Sequence, residues 1–381
     1  MKIGRAFSSE YEDIQRILED VYGHGFNYFP SAYPSVWKKI NTDFENIFVI
    51  KEKGKIVSLV RIFPLKTVQG GVDITLAGIG AVSTLYPYRG KGYMSLLLHH
   101  TFKEMEKQHF PLSVLGGDRH RYNTFGYETA GKVIELTIST RGLNRHRIKA
   151  IPSYRYDFTD MGVIAKIMEV SKGLLYRKKR TKSEFEDIYR RQGINVYYAE
   201  QDRKFAFLVI SATEVKEGGT KKVFECGGDP ELIPGILQHL VERFGFTAFN
   251  IKFPDFTDIP ENIMSLASSW NIRPCFMIKI ISLKETMEIL SKRKDFLFPD
   301  SEEITLTVKN KESIIISKKG SVLKIESGRG KNEISLTDID MVRLLFGSSF
   351  WFPEGTTDIK TVRVLRQFLP INIYLPLLDM I

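Results

Sequence analysis

The sequence predicts a multidomain α/β protein, α+β in its overall mix, on three observations. The chain has 381 residues, about two and a half domains at the usual ~150 residues each, so at least two hydrophobic cores are expected. Through roughly the first 140 residues, β-branched runs alternate with apolar residues at helical spacing, and a second mixed pattern starts near residue 150. A third unit, from about residue 282, sets a helix before three strands and closes on further helices. Hydrophobic residues at 43% and charged residues at 26% exclude a disordered or fibrous chain. Cys226 and Cys275 are the only cysteines, too few for a disulfide framework or a four-cysteine zinc site, which fits a reducing compartment. Residues 1–7 lack a signal-peptide core and no stretch approaches the ~18 uncharged apolar residues of a membrane helix, so a cytoplasmic protein is expected. A net charge of +10 suits an anionic partner, whether nucleic acid, a membrane surface or a phosphorylated cofactor, without choosing among them.

In chain order, Ser9 and Glu12 have capping-box spacing, and Tyr11, Ile14, Leu18 and Val21 then share one helical face until Gly23. Runs 47–50 and 56–63, joined through Lys53-Gly54, read as a hairpin. Residues 74–82 read as a strand interrupted by Gly78 and Gly80, where glycine signals a bulge or a close backbone approach. Met94, Leu97, Leu98, Thr101 and Met105 place a helix after Arg89-Gly90-Lys91-Gly92, and short strands follow at 112–115 and 132–139. The second pattern has helices at 161–171 and 230–244 and strands at 196–199, 205–210, 249–252 and 276–281. The third has a helix through 287–290, strands at 304–308, 313–317 and 321–326, and helices from Leu336 onward.

The glycine turn is the first chemical signal. A helix N-terminus presents unpaired N–H groups carrying roughly half a positive charge, and glycine lets a ligand approach them, so the corner can cradle a pyrophosphate. It has neither the spacing of an NTP-binding loop nor that of a dinucleotide fold, and alone it reads equally well as an ordinary turn. The second signal is Tyr122-Asn123-Thr124-Phe125-Gly126-Tyr127. Arg89-x-x-Gly92 followed by Tyr122-x-x-x-Gly126-Tyr127 resembles the acetyl-CoA signature of the GCN5-related N-acetyltransferase (GNAT) superfamily, over roughly residues 75–131. More narrowly, the chain is similar to the Eis (enhanced intracellular survival) family, because Met94 stands where that branch tends to carry a large apolar residue and the wider superfamily has Gly or Ala.

The resemblance implies two tandem GNAT-like domains, each a mixed sheet flanked by helices with the second degenerate, followed by a sterol-carrier-protein-like α+β domain. Their expected bounds are 1–135, 150–283 and 284–381, with 136–149 as linker. It further implies that acetyl-CoA is the cosubstrate, with its pyrophosphate on Arg89, Gly90, Lys91, Gly92, Tyr93 and Met94 and its pantetheine arm along Val82. Tyr122 would be the general acid toward the departing thiolate. A thiol at ~8.5 lies below a phenol at ~10, so hydrogen-bond donation to the developing charge describes that role better than full transfer.

An acceptor amine near ~10.4 is only about one part in a thousand unprotonated at pH 7, a gap of roughly 4 to 5 kcal/mol, so a base is needed. Residues 74–82 contain no carboxylate. By resemblance the base is the chain's own terminal carboxylate, on Ile381, with His120 as a second candidate base or substrate contact. The acceptor loop Gly23 to Pro30 is aromatic, through Phe26 and Tyr28, and carries no carboxylate, which favours a less charged aromatic or peptide-like amine over a polycation.

In the second domain the cradle position reads Gly227-Gly228-Asp229-Pro230-Glu231, whose acids would repel phosphates, so it is not expected to bind coenzyme A. The basic run 177–182 reads as a solvated loop rather than a nucleic-acid patch. His99 and His100 are adjacent and cannot chelate together, and no Cys/His cluster supports a metal. The expectation is an acetyl-CoA-dependent N-acetyltransferase acting on a small-molecule or peptide amine, without metal, nucleic acid or membrane, and by resemblance a homo-oligomer, trimer or hexamer. The rival readings are a noncatalytic coenzyme A scaffold and a carrier of apolar ligands through the C-terminal domain.

Overall fold

The computed structural model describes residues 3–212, 219–349, 351–352 and 359–380. The chain divides into two compact units, one formed by residues up to 131 with 274–373 and the other by 132–273 with 374–380. In the first unit β1 (Ile3–Arg5), β2 (Ile47–Glu52), β3 (Lys55–Gln69), β4 (Val72–Thr84), β5 (Leu112–Leu115) and β6 (Glu128–Ala130) share one sheet. The second unit contains β7 (Val133–Ser139), β8 (Tyr154–Arg155), β9 (Tyr176–Lys178), β10 (Ile194–Gln201), β11 (Lys204–Ser211), β12 (Thr220–Gly228), β13 (Ala248–Phe253) and β14 (Ala267–Arg273). Its sheet runs in the order β14-β7-β13-β12-β11-β10-β8. Strand β15 (Phe276–Ile280) returns to the first unit, between β5 and β6. There β16 (Glu303–Val308), β17 (Glu312–Lys319), β18 (Val322–Ser327) and β19 (Glu333–Leu336) form a separate sheet, β18-β17-β16-β19.

Both large sheets follow one plan: antiparallel strands lead to a parallel pair. Strands β4 and β5 pair at Ala77 with Ser113 and Gly78 with Val114. Strands β12 and β13 pair from Thr220 with Ala248 to Val223 with Ile251. Beyond those pairs the strands part at their carboxyl ends, where open α/β sheets place their ligands.

Local chemistry explains the elements that shape the first opening. Lys53 (φ 49°) and Gly54 (φ 78°) both adopt the left-handed conformation, the geometry of a type I′ hairpin turn. The Tyr11–Tyr22 helix buries Ile14 and Leu18 and stops at Gly23, φ 70°. Its expected cap at Ser9 and Glu12 is not formed: the chain enters through the 3₁₀ turn Ser8–Glu10, and Glu10 accepts from the Phe7 N–H at 3.0 Å. The Tyr93–Lys107 helix packs Leu97, Leu98 and Met105 against Phe48, Val60, Ile62 and Ile79 of the sheet.

The basic run 177–182 is a second correction. Lys178 is buried against Glu184 at 2.9 Å, the Arg180 side chain is 3% exposed between two carboxylates, and Thr181 caps the Lys182–Tyr189 helix. Its partners Glu225 and Asp379 lie far away in sequence, so a local reading of charge misses them.

Glu128 ties the first unit together. Its buried carboxylate takes both Arg119 donors at 2.6 Å, Arg343 Nη2 at 2.7 Å and the Thr129 N–H at 2.7 Å. Burial pushes its pKa up, but the Arg119 and Thr129 hydrogen bonds and the Arg343 charge overcome this and bring it down to about 2. A depressed carboxyl stabilises the fold above its unfolded pKa, and that stability is lost as pH falls toward the folded value. The shift corresponds to something on the order of 3 kcal/mol. Glu128→Gln should therefore lower unfolding stability in urea by roughly 2 to 4 kcal/mol at neutral pH, and the gap from wild type should close as pH is lowered from about 5 toward 2. A gap unchanged by acid would contradict this account.

Candidate active site

The opening between β4 and β5 is sharpened by a bulge. Leu59 pairs with Ser83 and Arg61 with Gly80, so Val60 stands opposite both Ala81 and Val82. The bulge residue is Ala81, at φ 54°, one position after Gly80. Gly78 answers a packing need instead: a Cβ there would lie 3.1 Å from Leu65 Cδ1 and 3.3 Å from Phe63 O. Because β4 makes no pair with β5 beyond Gly78 among the described residues, main-chain groups around Val82 face the opening without a neighbouring strand.

The glycine turn follows. After the 3₁₀ turn Tyr86–Tyr88, Arg89 Nε donates to Thr84 O at 3.2 Å, and Gly90 (φ 79°) and Gly92 (φ 76°) turn the chain into the Tyr93–Lys107 helix. A Cβ at either glycine would meet nothing within 4 Å, so the space beside them is open. The first helical bond is Leu96 N–H to Gly92 O, 3.0 Å, which leaves the amides of Gly92, Tyr93, Met94 and Ser95 with no helical carbonyl to reach. Tyr93 is buried and its hydroxyl donates to Glu52, which also pairs with Lys91 at 3.5 Å. Val82 and Met94 pack against one core cluster that contains Tyr93 and Tyr122.

Tyr122 comes from the Arg119–Asn123 turn, capped by Asp118, which accepts from His120 N at 2.9 Å and Arg121 N at 3.4 Å. Tyr122 is 7% exposed. A Cβ at Gly117, φ 137°, would sit 3.0 Å from Tyr122 Cε2, so glycine there makes room for the ring. Burial raises the Tyr122 pKa, and Tyr22 and Asp118 raise it further while Arg121 lowers it. The rest of the motif is scaffold. Tyr127 is fully buried with its hydroxyl 2.7 Å from Ser113 Oγ, and Gly126 turns at φ 83° beside Lys279, which donates to Phe125 O at 2.9 Å. Burial lowers the Lys279 pKa to about 8.

Sequence reasoning passed over Tyr22. Its hydroxyl approaches Val82 O at 3.5 Å and it is close enough to Tyr122 to shift it, so it stands between the bulge and the motif tyrosine. Its place at the end of the first helix, one residue before the Gly23 stop, was the available signal. In the aromatic loop after Gly23, expected to face the acceptor, Phe26 is 92% exposed, while Tyr28 stacks on His24 at 3.6 Å and meets Phe29 edge-on. The loop itself has no carboxylate, but the preceding helix brings Glu19 to the Tyr28 N–H at 3.3 Å. Beneath it the buried Arg61 guanidinium lies between Trp37 (4.5 Å) and Phe63 (4.4 Å) and donates to Val36 O at 2.7 Å. Burial lowers its pKa to about 10. His120 is exposed, and Ile381 lies outside the described residues. Among the described residues no His, Cys, Asp and Glu group could hold a metal ion, and no helix is long and apolar enough to cross a membrane.

A family model for the acetyltransferase (GNAT) domain matches residues 2–130. No curated protein matches the chain in sequence. Among solved structures, a GCN5-related N-acetyltransferase from Anabaena variabilis has the same fold over 100% of both chains, with a TM-score of 0.75 at 19% identity. A probable N-acyltransferase from Enterococcus faecalis gives 0.75 at 16% identity, over 100% of this chain and 99% of that one. Eis1 from Mycobacterium abscessus gives 0.72 at 12% identity over 100% of both. Residues 2–130 therefore match the acetyltransferase (GNAT) domain, on a chain whose whole fold is the one these three proteins share.

Proposed function

We propose that this protein is an acetyl-CoA-dependent N-acetyltransferase that transfers the acetyl group directly to a primary amine. The observation that supports it most is the meeting of three features at one core cluster: the glycine-opened helix start, the Val82 bulge and Tyr122. The open space beside Gly90 and Gly92 suits a diphosphate, which a Cβ would crowd. The amides of Gly92 to Ser95, with the charges of Arg89 and Lys91, would hold it, and the main chain at Val82 would take the pantetheine arm. Acetyl-CoA supplies the activated thioester.

The chain's own groups then act on the reacting atoms. A main-chain amide near Val82 polarises the carbonyl that the amine lone pair attacks. Tyr122 donates a hydrogen bond to the sulfur as its bond to carbon breaks. Its raised pKa keeps that proton in place beyond the usual phenol range, which suits donation rather than outright transfer. The proton leaving the ammonium goes to the terminal carboxylate of Ile381, directly or through water; an α-carboxyl with a reference near ~3.5 is ionised at pH 7. The aromatic loop around Tyr28 and Phe26, with Glu19 already engaged, favours an aromatic or peptide-like amine over a polycation.

A screen of amines for thiol release from acetyl-CoA tests the activity itself. Acetyl-CoA binding with no thiol released by any amine would instead fit a coenzyme A scaffold. Tyr122→Phe should lower kcat by ~10²-fold with little change in acetyl-CoA affinity, and the wild-type rate should hold to about pH 10 or above before any loss from phenol ionisation. Equal kcat in the two proteins would remove Tyr122 from the reaction. Residues added after Ile381 should reduce kcat while leaving acetyl-CoA affinity unchanged, and a fully active extended chain would rule out the terminal carboxylate as base.

A further inference from the structure

The second unit has an opening of its own. Pairing between β12 and β13 ends at Val223 and Ile251, and between the parted strands and their surroundings lies a cavity of about 210 Å³. Its walls are mainly apolar, with Phe207, Phe224, Phe253 and Tyr374 among them, and Leu174 and Leu175 on its border are exposed to solvent. A second coenzyme A does not suit it. A Cβ at Gly228 would collide with Phe205 O, so the turn is packed shut, and Asp229 and Glu231, both paired with Lys204, stand where phosphates would lie.

The charged part of the wall decides the class of ligand. Arg180 donates through Nε to Asp379 Oδ1 at 2.8 Å and through Nη2 to Asp379 Oδ2 at 2.6 Å. It also donates through Nη1 to Glu225 Oε2 at 3.0 Å and through Nη2 to Glu225 Oε1, and the Tyr189 hydroxyl donates to Glu225 Oε2 at 2.9 Å. One guanidinium thus serves two carboxylates, so among the described lining residues the cluster carries one negative charge in excess, with Arg191 outside the lining and engaged at Leu378 O. Lys178 and Lys252 do not offset it, since they pair with Glu184 at 2.9 Å and Glu135 at 3.6 Å, and the other two charged lining residues, Arg177 and Asp258, are of opposite sign. An uncompensated charge in an apolar wall is unfavourable, and a cation among aromatic faces relieves it. Cys226 lines the cavity too, but burial pushes its thiol up to about 12, which suits binding rather than covalent chemistry.

We propose that this cavity binds a small organic monocation, a primary ammonium on an apolar or aromatic body, with its head on Glu225 and Asp379 and its body among Phe207, Phe224 and Phe253. Binding there requires no acetyl-CoA. Calorimetry on the full chain without acetyl-CoA, comparing phenethylammonium with the neutral phenethyl alcohol, tests the idea. The ammonium should bind tighter by roughly tenfold or more, and Asp379→Asn should remove most of that preference. Equal affinities, no binding of either compound, or a preference that survives Asp379→Asn would overturn the proposal. If that variant does not fold, crystals of the unsubstituted protein soaked with bromophenethylammonium decide: bromine density beside Phe224 supports the site, and its absence there overturns it. Thiol release in the amine screen is unaffected by any of these outcomes, so the two readings fail separately.

Discussion

A β-strand that loses its neighbour leaves amides and carbonyls in need of partners, and β4 loses β5 after pairing only at Ala77 and Gly78. The bulge at Ala81 and Val82 comes just after that parting, and the next turn ends in a helix whose first amides are also unpaired. Two sets of main-chain groups therefore converge on one corner, and a ligand that presents amides along one edge and phosphates at the other satisfies both. Tyr122, Tyr22 and the aromatic loop are arranged around this corner. The corner is lined largely by backbone groups, and under the proposed function side chains are left to do the chemistry.

The second unit repeats the parted strands with different chemistry. Gly90 and Gly92 stand beside open space, whereas Gly228 packs on the β11 main chain and Gly235 on Ile151. At the helix start of the first unit glycine leaves open space; at the matching turn of the second it admits the protein's own atoms. The second opening is instead walled by aromatic rings and by an Arg180 cluster that includes Asp379 from the chain's C-terminal segment. Arg191 Nη1 also donates to Leu378 O at 2.9 Å, so the described end of the tail is packed by residues of that unit.

Much of the first unit could be read from sequence because its signals are local. The Lys53-Gly54 turn, the glycine-opened helix and the strands near 304–308, 313–317 and 321–326 all fall where periodicity and turn chemistry put them. What escaped depends on distant partners. Strand β12 and the Lys182–Tyr189 helix give no clear local signal, the latter because its cap lies inside a basic run that looks solvated until Glu225 and Asp379 are placed beside Arg180. At the site, Gly126 and Tyr127 carry the motif's visible signature yet act as scaffold, while Tyr22 has no motif and reaches Val82 only through the packing of its helix. Glycine spacing suggested where the β4 bulge lies, but the residue that adopts it is Ala81, an outcome of pairing register rather than of residue type.

If main-chain hydrogens at one strand bulge and one helix start hold acetyl-CoA, their exchange with solvent slows when it binds. Amide hydrogen exchange followed residue by residue, with and without acetyl-CoA, observes those hydrogens directly. The account predicts slowed exchange concentrated at Val82 and at Gly92 through Ser95, with no comparable change in the 227–232 turn of the second unit. Saturating acetyl-CoA that leaves Gly92 through Ser95 exchanging at the free-protein rate would contradict it.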